Sequence, residues 1–238
     1  MANRSGTPSP APSRRPLTRR RILECSLKII DRDGLETLSM RKLAAELDVA
    51  AMSLYNHVPN KDSLLEGVTE VLLGEIDLAS TEKEDWMEAM RDALLSFRDV
   101  LLAHPNAMPL IQSKPIMTPE AFHPVEQSLA TLRRGGFGPE DALRSHWALI
   151  GFTLGHVAFQ LMNPLTDPDR AEARMAMTRD NLAPAEFPCF YESLPFAVGC
   201  DFEAAFELGL DALLVGLKAR LAGSTNAPEP SPPKVVTP

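Results

Sequence analysis

The chain has 238 residues, of which 45% are apolar, 24% charged and only 6% aromatic, with a formal net charge of −8. That apolar content excludes a wholly disordered polypeptide, and because Leu, Ala, Met and Val carry most of it, helices are favoured over strands. Three scattered cysteines (Cys25, Cys189 and Cys200) supply neither a disulfide framework nor a metal spacing, which favours a reducing cytoplasm; no apolar stretch approaches the ~20 residues of a membrane span and no signal-peptide pattern opens the chain, so no membrane partner is expected.

Residues 1 to about 16 are rich in Pro, Ser and Arg and lack apolar periodicity, so a disordered tail is expected. Its Arg14 and Arg15, with Arg19 to Arg21 beyond, could add phosphate contacts. The first predicted helix runs from Thr18, its N-cap, to Asp33. Leu23, Leu27 and Ile30 share one face, and Gly34 ends the helix. Ser39 is the next N-cap, for a helix from Met40 to Leu47 that buries Leu43, Ala44 and Leu47. Asp48 and Val49 make a turn, and a short helix covers Ala51 to Tyr55. After Pro59 and Asn60 a fourth helix runs from Lys61 to about Leu78, with Leu64, Leu65, Val68, Val71 and Leu72 as its apolar stripe.

The later predicted helices cover about Lys83 to Ala103, Pro119 to Arg134, Pro139 to Met162 and Phe202 to Leu221. A Pro-broken stretch from Asn163 to about Gly199 reads as loops with one weak helix near Arg170–Arg179. The Pro-rich end reads as a second disordered tail. Four segments follow: tail 1–16, head with linking helix 17–78, body 79–222 and tail 223–238. The fold class is all-α.

Charge divides along the same boundary. Residues 1–61 carry 11 Lys+Arg against 6 Asp+Glu, a net of +5; the remainder carries 13 against 26, a net of −13. A basic head on an acidic body lets one end alone meet phosphate. Two short helices around a tight turn, flanked by basic and hydroxyl residues, form a helix-turn-helix.

The run Gly34-Leu-x-x-Leu38-Ser-Met-Arg-Lys-Leu-Ala with Ser53-Leu-Tyr-Asn-His-Val-x-Asn-Lys61 resembles the TetR family of bacterial repressors over residues 18–78. A weaker resemblance to the tetracycline-repressor branch continues through Asp85-Trp86, Leu101-Leu-Ala-His104, Gly136-Phe-x-x-Glu-Asp-Ala-Leu143, Gly151-Phe-Thr-Leu-Gly155 and Phe206-Glu-x-Gly-Leu-Asp-x-Leu-Leu-x-Gly-Leu217. Asp48 departs from the pattern: the family commonly carries Gly at that turn, although Asp tolerates left-handed geometry better than most residues.

The resemblance implies a regulator, most often a repressor, that binds double-stranded DNA at a near-palindromic operator as a homodimer. Ala51, Met52 and Ser53 are expected at base edges, where small and apolar side chains suit thymine methyls, and Arg41 at guanine. Ser39, Tyr55, His57 and Lys61 are expected on phosphates. Leu54 and Val58 are assigned to packing. The small residues Gly151, Gly155, Gly209 and Gly216 suit a four-helix dimer interface.

The resemblance also implies an effector pocket. Residues aligned with the polar ligands of a magnesium–tetracycline complex are Asp77, Ala93, Leu110, Ser128, Gly151 and Phe159, a set that cannot hold that complex. Tetracycline is therefore excluded as effector. The aligned pocket, Phe97, Leu110, Val125, Leu129, Trp147, Ile150 and Gly151 with His104 and His146 as polar anchors, suits a small apolar effector. No cofactor or metal is expected. Five dispersed histidines and the lack of a phosphate loop or nucleophile elbow argue against an enzyme. The competing reading is a helical ligand-binding or scaffold protein that does not read DNA.

Overall fold

A computed structural model describes residues 16–113, 118–163, 168–197 and 201–224, and among these there is no strand. Eleven α-helices are described: α1 Arg19–Asp33, α2 Met40–Leu47, α3 Ala51–Tyr55, α4 Lys61–Leu73, α5 Trp86–Ala103, α6 Met108–Ser113, α7 Pro119–Arg134, α8 Pro139–Met162, α9 Pro168–Asn181, α10 Pro188–Ser193 and α11 Phe202–Ser224. The all-α class is as expected. The two expected tails, with Arg14 and Arg15, lie almost wholly outside the described residues.

Local chemistry sets the boundaries. Thr18, Ser39, Asn60 and Asp85 each cap a helix by accepting a backbone N–H in its first turn. Three expected bounds move, the last helix running on to Ser224 rather than ending at Leu221. The fourth helix stops at Leu73 rather than Leu78, because Gly74 is a poor helix former and the Asp77 carboxylate accepts from Ala79 N, closing a turn. The fifth begins at Trp86 rather than Lys83, because Asp85 Oδ1 accepts from Met87 N at 2.7 Å.

Three further helices depart from expectation. α6 and α10 span six residues each, too short for apolar periodicity to show. α9 is longer than the weak helix expected there. Its hydrophobic pattern is poor, but it starts at a proline and meets no breaker for 14 residues.

The head packs α1, α2, α3 and α4 around one core that includes Ile22, Leu23, Leu43, Leu54, Val58, Leu64 and Leu72. α1 and α4 approach so closely that a Cβ on Gly67 would lie 2.5 Å from Leu23 Cδ2. A bidentate pair of Arg19 with Glu70, at 2.7 and 3.0 Å, closes the same seam. Arg32 reaches Glu46 at 3.1 Å and Lys42 reaches Asp33 at 2.8 Å, tying α1 to α2. The head core does not stop at the head: Val100, Ala107 and Leu110 of the body belong to it.

The body packs α5, α7, α8 and α11 around Met90, Leu94, Leu132, Phe137, Leu149, Phe206 and Leu210. Trp86 meets the Phe137 ring edge-on at 5.0 Å. A Cβ on Gly209 would strike Phe152 at 2.5 Å, so this glycine serves close packing of α11 on α8 within the chain.

Candidate nucleic-acid interface and ligand cavity

α3 has five residues, far below the ~12–15 at which an isolated helix becomes even marginal in water. Burial of Leu54 at 0% exposure holds it in place, and Val58 just beyond is equally enclosed. Both are packing residues. The turn before α3 is closed by Asp48 in the left-handed region (φ 53, ψ 49), with Val49 N donating to Ala44 O at 3.0 Å. It is the only non-glycine residue with positive φ among the described residues. The turn thus forms with Asp in place of Gly.

With Leu54 turned inward, the opposite side of α3 faces out. Met52 is 74% exposed and Tyr55 45%. Ala51, Arg41, His57 and Lys61 are exposed too, and Ser53 is half-buried. The side chains of Arg41, Tyr55, His57 and Lys61 make no hydrogen bond or ion pair among the described residues. A row of unengaged donors beside an exposed methionine fits contact with a charged, methyl-bearing partner. Ser39 accepts from Lys42 N at 3.2 Å, so it caps α2 on the same surface. Asn60 accepts from Ser63 N at 2.8 Å, leaving Lys61 in the first turn of α4, an end that attracts anions.

The body holds a cavity of about 660 Å³, counting its mouth, bordered by the end of α4, the turn after it, α5, α6, α7 and α8. Among the described residues, no lining residue is charged. Of the nine residues expected to bind an effector, Phe97, Val125, His146 and Ile150 line it. The other five do not. Trp147 is 65% exposed, and Gly151 has open space where a side chain would stand. Each residue of an α-helix turns about 100° from the last, so His146 and Ile150 face inward while Trp147 and Gly151 face out. Leu110 is buried in the head–body core, and Leu129 packs on the body core. His104 is taken up elsewhere: its Nδ1 lies 2.9 Å from Asp31 Oδ2 and its Nε2 2.9 Å from Glu75 Oε2.

Residues missed from the pocket list include Leu73, Ile76, Met90, Leu94 and Ala121, together with Ala93 and Ser128, which were placed at the tetracycline positions. Leu73 ends the apolar stripe of α4, and that stripe was the available signal. The rest are ordinary core-type residues whose facing on a cavity depends on how the helices cross. Among the described lining residues, the polar side chains are Thr81, Ser128 and His146. Thr81 Oγ1 donates to Leu78 O, and Ser128 Oγ lies 2.8 Å from His146 Nδ1. Burial holds the His146 pKa below the usual imidazole value.

The outer face of α8 exposes Trp147, Phe159 and Met162 beside the open Gly151 and Gly155; α11 exposes Leu208 and Val215 beside Gly216. Of the four glycines expected at a dimer interface, three lie on this face. Gly209 is the exception, turned onto Phe152 of its own chain.

Residues 22–68 match the family model for bacterial regulatory proteins of the tetR family, and residues 78–221 match that for the tetracyclin repressor-like C-terminal domain. An HTH-type transcriptional regulator of Saccharopolyspora erythraea is 33% identical over 204 residues, 85% of each chain. The HTH-type transcriptional repressor DrrR1 of Streptomyces coeruleorubidus is 32% identical over 89% of this chain and 82% of its own. The Streptomyces coelicolor TetR family protein ActR, solved in complex with actinorhodin, superposes with a TM-score of 0.75 at 30% identity, covering 86% of this chain and 97% of that one.

Proposed function

The chain belongs to the TetR family of bacterial regulators, and on that premise we propose that it is a dimeric repressor released from operator DNA by an uncharged, largely apolar small molecule. The observation that carries the reading is a cavity whose described lining residues are uncharged, set directly against the last turn of α4. Leu72 is fully enclosed in the head core, while its neighbour Leu73 lines the cavity. One turn of helix thus touches both sites.

The proposed DNA-reading set is Arg41, Ala51, Met52 and Ser53 at base edges, with Ser39, Tyr55, His57 and Lys61 on phosphates. The proposed effector set is Phe97, Val125, His146 and Ile150. The head is taken as 17–78 and the body as 79–222. The α8–α11 outer face is the proposed dimer seam, an exposed apolar surface too extensive for solvent. Two heads so paired would meet successive major grooves roughly 34–36 Å apart. Ligand entering between α4 and α7 would favour a body in which α4 shifts and the heads lose that spacing. The complex of ActR with actinorhodin supports a small-molecule effector.

The test is fluorescence anisotropy with DNA from upstream of the protein's own gene, followed by selection from random sequence. Saturable, salt-sensitive binding that Arg41→Ala weakens by about 1–3 kcal/mol, with relaxed preference at one base pair per half-site, is expected. Tyr55→Ala should weaken all sequences alike. Selection yielding no enriched sequence would leave a helical ligand-binding protein that does not read DNA.

A further inference from the structure

Within this largely apolar cavity one polar pair is built in. Ser128 on α7 and His146 on α8 meet at 2.8 Å, Oγ to Nδ1, and His146 is only 7% exposed. The Ser128 hydroxyl also lies 3.9 Å from Met90 Sδ. The other imidazole nitrogen, Nε2, has no partner among the described residues. That nitrogen is not sealed off by the protein, and His146 lines the cavity, so a ligand held there can match it with a hydrogen bond.

We propose that the Ser128–His146 pair selects largely apolar effectors carrying a neutral hydroxyl group, with that hydroxyl placed against His146 Nε2. This rests on the cavity being the effector site.

Two features narrow the class. With no charged residue among the described lining residues, a carboxylate or ammonium would be stripped of water without a countercharge from them. Burial also disfavours the imidazolium that could otherwise serve a carboxylate. The neutral ring then has two tautomers. If Ser128 donates to Nδ1, Nε2–H donates to the ligand. If Nδ1–H donates to Ser128, whose own hydrogen turns to Met90, Nε2 accepts. A hydroxyl satisfies both arrangements and a carbonyl only the first, so the hydroxyl is the better match. The apolar remainder (Phe97, Val125, Ile150, Leu94) calls for a largely apolar body on the ligand.

The experiment titrates the full-length protein with three probes of one shape: phenanthrene, 9-phenanthrol and phenanthrene-9-carboxylate, read by ligand fluorescence at pH 7.5. Wild type is expected to bind the phenol about tenfold more tightly than either other probe. His146→Leu should hold phenanthrene as before and lose the preference. Ser128→Ala should reduce it, and His146→Gln, which keeps a hydrogen-bonding side chain, should retain part of it. Should His146→Leu fail to fold, Ser128→Ala carries the same comparison. An intact phenol preference in the folded variants overturns the proposal, as does tighter binding of the carboxylate. Equal binding of all three by wild type overturns it while leaving the cavity as the effector site. Binding of none overturns both.

Discussion

His104 Nδ1 lies 2.9 Å from Asp31 Oδ2, joining the end of α5 in the body to α1 in the head. Its Nε2 meets Glu75 Oε2 at the same distance, and Asn106 Nδ2 donates to Asp31 O beside it. One imidazole therefore spans head, linker and body. Burial alone pushes its pKa down, but the hydrogen bonds and charges of Glu75 and Asp31 outweigh that and raise it above the usual value. Arg20, Glu24 and Lys28 on α1 and Glu70 on α4 line the same groove.

A group whose folded pKa is raised stabilises the fold fully below its unfolded value, about 6.5, and loses that contribution as pH rises through the folded value. His104→Gln is expected to cost about 1–3 kcal/mol at pH 6 and clearly less at pH 9. Urea unfolding of both proteins at the two pH values measures it. A cost that does not change with pH would remove the imidazolium from the account.

Leu54 is the buried anchor of a five-residue helix. Truncating it to Ala should cost about 2–5 kcal/mol, since the cavity left behind cannot collapse without moving α3. Operator binding should be lost before the body unfolds. Circular dichroism and anisotropy on one sample separate the two losses, and a variant that binds DNA normally would show that α3 is held some other way.

Tetracycline should not bind in a magnesium-dependent manner. Ala93 and Ser128 stand in the cavity where the resemblance calls for metal- or drug-binding side chains, and among the described residues no carboxylate lines it. Isothermal calorimetry with and without magnesium decides this; a magnesium-dependent heat at micromolar drug would contradict the assignment.

The exposed α8–α11 face should be the dimer seam. Trp147→Glu or Val215→Glu places a charge in that seam and is expected to yield a folded monomer in sedimentation experiments. The monomer should lose affinity for a full operator far more than for a half-site. An unchanged dimer would move the seam elsewhere.

The head was legible in the sequence because its information is local. Cap residues Thr18, Ser39 and Asn60, the left-handed turn at Asp48 and the stripe Leu64, Leu65, Val68 and Leu72 each act over one or two helical turns, and each sits where the residue pattern places it. The exposed face of α3 follows, since burying Leu54 leaves Met52 and Tyr55 nowhere but outside. The cavity was legible only in part. Its apolar character was in the composition, but which residues line it depends on the rotation of α8 and the crossing of α5, α7 and α8. That rotation turned Trp147 and Gly151 out of the pocket and brought Ser128 onto His146, 18 positions away. His104 makes the same point: its partners Asp31 and Glu75 lie 73 and 29 residues distant. Contacts set by periodicity can be read along a chain, whereas contacts set by how helices cross arise only when the helices pack.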